Sequence, residues 1–103
     1  MLTEIILQDN LTTITLNGRL DTPSTPEVEE KVFPLMKDES VREVRIDCSE
    51  LSYISSSGLR IFITLQKHFM KIGGKLVIAN ITPSVQAVFD MTGFSNIFKI
   101  VKD

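Results

Sequence analysis

Apolar residues recur at every second position in some stretches of this chain and at every third or fourth in others, and the two periods alternate. That alternation constrains the fold more than any other feature. A strand buries one side of a pleat, a helix buries one stripe of a cylinder, and neither pattern substitutes for the other. The chain opens in strand period. The runs "TEIIL" and "LTTITLNG" flank Gln8, Asp9 and Asn10, and Asp and Asn are turn formers, so a hairpin is expected. In the second run Ile14 and Leu16 alternate with Thr13 and Thr15, the pattern of a strand with one buried face.

The period then changes. "LDTPSTPEVEEKV" carries overlapping helix starts: Ser24 with Glu27 three residues on forms a capping box, and Thr22 before Pro23 is an alternative cap. Val28, Val32 and Leu35 follow at helical spacing, and Pro34 predicts a kink or an early end near Phe33. "VREVRIDCS" returns to alternation, with Val44, Ile46 and Cys48 on one side and Arg45 and Asp47 on the other. From Gly58 to Lys71 the residues Arg60, Thr64, Lys67, His68 and Lys71 form one polar stripe, while Leu59, Phe62, Ile63, Leu65 and Phe69 fill the rest of the circumference. Such a helix is buried on most sides. Gly73 and Gly74 end it, "KLVIAN" reads as a buried strand, and "TPSVQAVFDMTG" as a helix capped by Thr82, with Pro83 first and Gly93 just past its end. Val85, Val88 and Phe89 face inward, and "NIFKIV" supplies a last short strand.

The expected order is β-β-α-β-α-β-α-β. This is an α/β domain with a mixed sheet of about five strands, a parallel core and an N-terminal hairpin at its edge. No internal repeat, low-complexity segment or linker divides residues 1–103, so one domain is expected.

Composition narrows the function classes. A formal charge of −2 does not suit direct nucleic-acid binding. The charge is unevenly placed, net −6 over residues 1–50 and +4 over residues 51–103, which suits either two solvated faces or an electrostatically steered partner surface. Cys48 is the only cysteine and His68 the only histidine, so neither an internal disulfide nor a zinc site built of those ligands is available. No cofactor is expected. Cys48 lies within an apolar strand pattern and is expected as a buried structural thiol. Glu4 and Asp9 interrupt any leader-like apolar run, and no apolar stretch reaches the ~20 residues of a membrane span. A cytoplasmic protein without membrane insertion is the expectation. Phe94 or Phe98 at the surface would favour a dimer, whereas in the core they would complete it, so the sequence leaves the oligomeric state open.

Between the third strand and the buried helix stands "YISSSGLRIF", with Ser55, Ser56 and Ser57 before Gly58. A serine nucleophile needs a base, and His68 is roughly 15–18 Å away along the helix and on its polar stripe. The flanking glycines of a nucleophile elbow are absent, as are the glycines and lysine of a phosphate-cradling loop. Hydrolysis at these serines is not expected. The structural expectation is that Ser56 or Ser57 caps the helix and Gly58 allows it close to a strand. A serine there also sits at the positive end of the helix dipole, where a phosphate would meet free backbone N–H groups, with Arg60 within reach of Ser56. Capping and modification are compatible.

"DCSELSYISSSGLR" resembles the central motif of STAS domains, the module of bacterial anti-sigma factor antagonists and of sulphate-transporter tails. "NGRLD" resembles the Gly-x-Leu-Asp that ends the second strand in that family. "KIGGKLVIANITPSVQAVFDMTGFSNIFKI" is similar to the family's C-terminal half, including Thr-Gly-Phe after the third helix. The resemblance covers nearly the whole chain. It implies a partner-switching regulator that, unphosphorylated, binds an anti-sigma factor which is also a serine kinase, so freeing a sigma factor. Phosphorylation at the start of the second helix ends the complex, and a serine phosphatase resets it.

Aligned on Ser-Gly-Leu, the acceptor is Ser56, with Ser55 and Ser57 as alternatives. Ser55, Ser56, Ser57, Gly58, Arg60 and Asp21 form the implied partner surface, Asp21 being equally readable as the cap of the turn into the first helix. Antagonists often carry Asp before the acceptor, and Ser55 stands there here. That substitution leaves a second reading, a STAS subunit of a lipid or anion transporter that docks on an ATPase subunit without a phosphorylation cycle. A small hydrolase using Ser56 is the third.

Overall fold

Residues 1–102 are described by a computed structural model, in which the chain runs in the expected order through a five-stranded sheet. Strand β1 (Leu2–Gln8) and strand β2 (Leu11–Leu20) are antiparallel, joined by Asp9 and Asn10 at φ 51° and 69°. Two successive positive φ values give a turn whose twist matches that of the flanking strands, which is why Asp-Asn suffices in two residues. Gln8 pairs with Leu11 and so belongs to the strand rather than to the turn.

Helix α1 (Thr25–Val32) passes at Phe33 into a 3-10 turn over Phe33–Lys37, the early end Pro34 requires. The expected Ser24–Glu27 capping box does not form. The box is shifted back by three residues: Ser24 N–H donates to Asp21 Oδ1 at 3.1 Å, while Asp21 N–H donates to Ser24 Oγ at 3.0 Å. Thr25 Oγ1 adds a bond to the Asp21 carbonyl at 2.9 Å. The Asp21 carboxylate reaches the orphan donor before the Glu27 side chain is needed.

Strand β3 is longer than its alternation suggests, Glu43–Ile54 rather than ending at Ser49. Its register against β2 slips twice, each time with an extra residue on β3. Inward positions therefore fall at Val44, Ile46 and Cys48, then at Leu51 and Ile54. Bulges of this kind convert a period of two into spacings of three.

Helix α2 (Ser56–Lys71) ends before Gly73, at φ 74°. Strand β4 (Lys75–Ala79) follows, then helix α3 (Pro83–Thr92), closed by Gly93 at φ 80°. Thr82 precedes α3 without capping it: its hydroxyl donates instead to the Leu51 carbonyl at 2.9 Å, pinning the helix to the end of β3. A 3-10 turn (Phe94–Asn96) takes part of the expected last strand, leaving β5 as Lys99–Val101.

The strand order is β1-β2-β3-β4-β5, parallel from β2 onward. Successive right-handed crossovers in one direction lay their helices on one face of the sheet. Register aligns Thr12, Val44 and Leu76, then Ile14, Ile46 and Ile78, all buried. Val28 and Val32 of α1 meet Ile61, Phe62 and Leu65 of α2 above Ile14 and Ile46. Phe89 of α3 stands edge-on to Phe62 at 6.0 Å, and Phe98 packs against both. Each such side chain contributes about 1.5–3 kcal/mol by leaving water. Phe98 thus completes the core, and Phe94, half-buried, stacks beside it. No helix among the described residues is long and apolar enough to cross a membrane.

Candidate functional site

The serine loop lies where β3 ends and α2 begins, beside the end of β2. The Ser55 N–H donates to the Leu20 carbonyl at 2.8 Å, which fastens the loop to the last residue of β2 and brings Asp21 alongside it. In a parallel sheet the carboxyl ends of adjacent strands open onto the helix N-termini, where exposed polar groups collect.

Each of the three serines has its own place. Ser55, not Ser56 or Ser57 as expected, caps α2: in extended conformation (φ −92°, ψ 172°) its Oγ accepts from Gly58 N–H at 3.2 Å. The reason is geometric. An N-cap must lie outside the helix with its oxygen turned toward the donors two or three residues on, and Ser56 is already the first helical residue. Ser56 is exposed, while Ser57 is half-buried. The Leu59 N–H is taken by the Ser55 carbonyl, which leaves the N–H groups of Ser56 and Ser57 as the orphan donors of this helix start. The Ser56 hydroxyl therefore stands in solvent at the positive end of a 16-residue helix.

Gly58 sets how close that helix start comes to the sheet. A Cβ there would lie 2.7 Å from Leu20 Cγ and 2.9 Å from Ile54 Cγ1. No side chain fits, and Gly58 is buried. Asp21 is held by the Ser24 hydroxyl at 2.8 Å and by the Ser24 N–H, which keep its carboxyl below the usual carboxylate range. It caps the turn into α1, and it directly follows Leu20, whose carbonyl holds the serine loop. Arg60 is exposed one turn into α2, and its guanidinium has no hydrogen-bond partner among the described residues, Ser56 included. Its own carbonyl accepts from Thr64 Oγ1.

Neighbours that the sequence did not single out complete the surface. Tyr53, 40% exposed, carries the Arg19 guanidinium over its ring at 4.3 Å, a cation–π contact. Ser52 Oγ donates to the Gly18 carbonyl, and Ser84 Oγ to the Ser52 carbonyl. These bonds tie β2, β3 and α3 together beneath the loop. Arg19 and Tyr53 are adjacent only because of the second register slip, which places them as partners, and no spacing rule would have paired them.

Chemically the site offers a hydroxyl, free backbone donors and a flanking carboxylate. His68 is on the last turns of α2, half-buried and edge-on to Phe69 at 4.9 Å, far from Ser56. Among the described residues no group of three or more His, Cys, Asp or Glu side chains is placed to hold a metal ion. Cys48 is buried and its thiol pushed up to about 12, first by burial and then by the neighbouring Asp47 carboxylate.

Comparison with known proteins places the fold. The STAS domain model matches residues 3–103. An anti-sigma-B factor antagonist of Bacillus subtilis is 33% identical over 87 residues, which is 84% of this chain and 78% of that protein. Among solved structures, an anti-sigma factor antagonist from Mycobacterium paratuberculosis superposes with a TM-score of 0.87 at 20% identity, covering 97% of this chain and 84% of that one. The phosphorylated form of the Bacillus cell fate determinant SpoIIAA superposes with a TM-score of 0.79 at 17% identity, covering 99% and 91%. At those identities the structures speak for the fold.

Proposed function

This chain belongs to the STAS domain family, and we propose that it is an anti-sigma factor antagonist switched off by phosphorylation of Ser56. Unphosphorylated, it binds an anti-sigma factor that is itself a serine kinase and so frees a sigma factor. A serine phosphatase restores the binding form. In this reading the chain is a cytoplasmic regulator that acts by protein contact, with no catalysis, cofactor or nucleic-acid contact of its own.

The observation that carries the reading is the division of labour at the start of α2. Ser55 makes the capping bond and Ser56 is left exposed as the first helical residue. A kinase can take Ser56 without removing the cap. Relatives named anti-sigma-B factor antagonists, and a phosphorylated SpoIIAA with this fold, support the same direction. A phosphoryl group adds about −1.5 to −2 charges, which the helix N-terminus and its free N–H groups tolerate. The fold therefore survives modification while the partner surface beside Asp21 changes charge and bulk. Tyr53, Arg19 and Asp21 supply an aromatic, a cation and an anion for the unmodified contact.

The transporter-subunit reading drew on Ser55 standing in place of an acid. Since Ser and Asp cap equally well, that substitution leaves the helix start intact and gives no ground for abandoning the switch.

The test uses the co-encoded kinase with ATP. One phosphoryl group should appear on the wild-type chain and none on Ser56→Ala, which should still bind the unmodified partner. Ser56→Asp should bind it much more weakly. Tight binding without any transfer would refute the switch, and transfer persisting in Ser56→Ala would move the acceptor to Ser55 or Ser57.

A further inference from the structure

Half of the large exposed apolar side chains among the described residues lie on one strand. Leu2, Ile5, Ile6 and Leu7 of β1 are 53%, 38%, 51% and 68% exposed, and β1 is an edge strand whose outer side has no strand partner. Edges of this kind are normally blunted by charge, proline or a covering element. Here the blunting is partial. Lys31 of α1 reaches across to donate to the Thr3 carbonyl at 3.2 Å, and only that end of the edge is occupied.

The pairing fixes which groups remain. Gln8 and Leu11 close the two-residue hairpin, and hydrogen-bonded pairs alternate from there. Gln8, Ile6, Glu4 and Leu2 thus face β2 with their backbone groups, and Leu7, Ile5 and Thr3 face outward. With the Thr3 carbonyl taken by Lys31, the open groups are the Thr3 N–H and both the N–H and C=O of Ile5 and Leu7.

We propose that a second copy of this chain pairs antiparallel with β1 across a two-fold axis at Ile6, joining the two sheets into one. Three independent features select this register. Ile5 meets the partner's Leu7 and Leu7 the partner's Ile5, using every open N–H and C=O of those two residues while the Thr3 carbonyl stays with Lys31. On the opposite side Ile6 meets its own copy, and Glu4 meets the partner's Gln8, an acceptor opposite a donor rather than two like carboxylates. Lys31, anchored at Thr3, comes opposite the partner's Asp9, so the residue that blocks the edge in the monomer becomes a charge partner in the dimer. An axis one residue nearer Thr3 would displace Lys31 and lose that pairing. The surface is separate from the serine loop, which lies between the ends of β2 and β3, so the inference does not depend on the switch.

The experiment is sedimentation of the full chain across a concentration series, with cysteine cross-linking for the register. A concentration-dependent dimer is expected, and Ile6→Glu, which sets like charges on the axis, should raise its dissociation constant by about tenfold or more. Because Ile6 is an exposed edge residue, circular dichroism should show an unchanged fold. On oxidation Ile6→Cys should give a symmetric disulfide, since a non-hydrogen-bonded pair brings its Cα atoms to about 4.5 Å. Gln8→Cys should give none, lying opposite Glu4 instead, and buried Cys48 makes the wild type the blank. A monomer up to the solubility limit would overturn the proposal. So would a dimer indifferent to Ile6→Glu, or one cross-linked through Gln8→Cys.

Discussion

Gly58→Ala isolates the close approach that positions the serine loop. In a helix without neighbours the change would stabilise by about 0.5–1 kcal/mol, since alanine loses less backbone entropy than glycine. Here the new Cβ would stand 2.7 Å from Leu20 Cγ and 2.9 Å from Ile54 Cγ1. Both side chains are fully or nearly fully buried, so neither can swing aside. Relief requires the start of α2 to move by several tenths of an ångström, and overpacking of that kind costs about 1–3 kcal/mol. The net expectation is a loss of about 1–2 kcal/mol. For a domain of this size that is a fall in Tm of roughly 4–8 °C per kcal/mol, readable by calorimetry. The control is the same substitution in a Leu20→Ala background. That background is itself destabilised by about 2–5 kcal/mol, but it removes the Leu20 contacts and leaves only Ile54 Cγ1, so Gly58→Ala should cost less there. A stabilised single variant, or an equal cost in both backgrounds, would refute the packing argument.

Ser55→Ala removes the cap and should cost about 1 kcal/mol in thermal or urea unfolding, whereas Ser55→Asp should restore it. Ser56→Ala, by contrast, should leave stability within about 0.5 kcal/mol. Asp21 has its carboxyl lowered by the Ser24 hydroxyl and N–H. Its stabilising contribution is thus present above the usual carboxylate range and lost as pH falls through the lowered folded value, so Asp21→Asn should flatten the acid limb of a Tm–pH profile. Cys48 is shifted the other way, to about 12. Its contribution is complete below the unfolded thiol value of about 8.5 and declines as pH rises toward the folded value, a slope that Cys48→Ala should remove. Thr12 Oγ1 is buried without a hydrogen-bond partner, so Thr12→Val should raise stability by about 1 kcal/mol in urea titration.

Much of this architecture was legible because local rules and tertiary demands agree. Asp9-Asn10 makes a two-residue turn that any flanking strands would accept, Pro34 stops a helix wherever it lands, and Gly73 and Gly93 end helices by a backbone conformation other residues avoid. The failures share a cause. At Ser24, Thr82 and Ser56 the residue type was right for a cap, but the hydrogen bond went to Asp21, to the Leu51 carbonyl and to Ser55 respectively. Which of several hydroxyls wins depends on a few degrees of backbone direction, and those are set by contacts distant in sequence. Strand β3 beyond Ser49 and the Arg19–Tyr53 stack were hidden for a related reason. Both follow from register slips against β2, and a slip erases the period that would announce it.

The serine in place of an acid now has a physical meaning. An acidic cap would bring a full negative charge to the helix start before any modification, partly neutralising the dipole there. Ser55 makes the same hydrogen bond with a neutral oxygen, so a phosphoryl group on Ser56 would meet an undiminished dipole and no carboxylate at the preceding residue. The Asp21 carboxylate is tied back by Ser24. A Ser56 modified as proposed would therefore be relieved of a repulsion that an acid at position 55 would impose. On the proposed function, release of a partner would come from what the phosphoryl group does at the interface, not from strain within the helix that Ser55 caps.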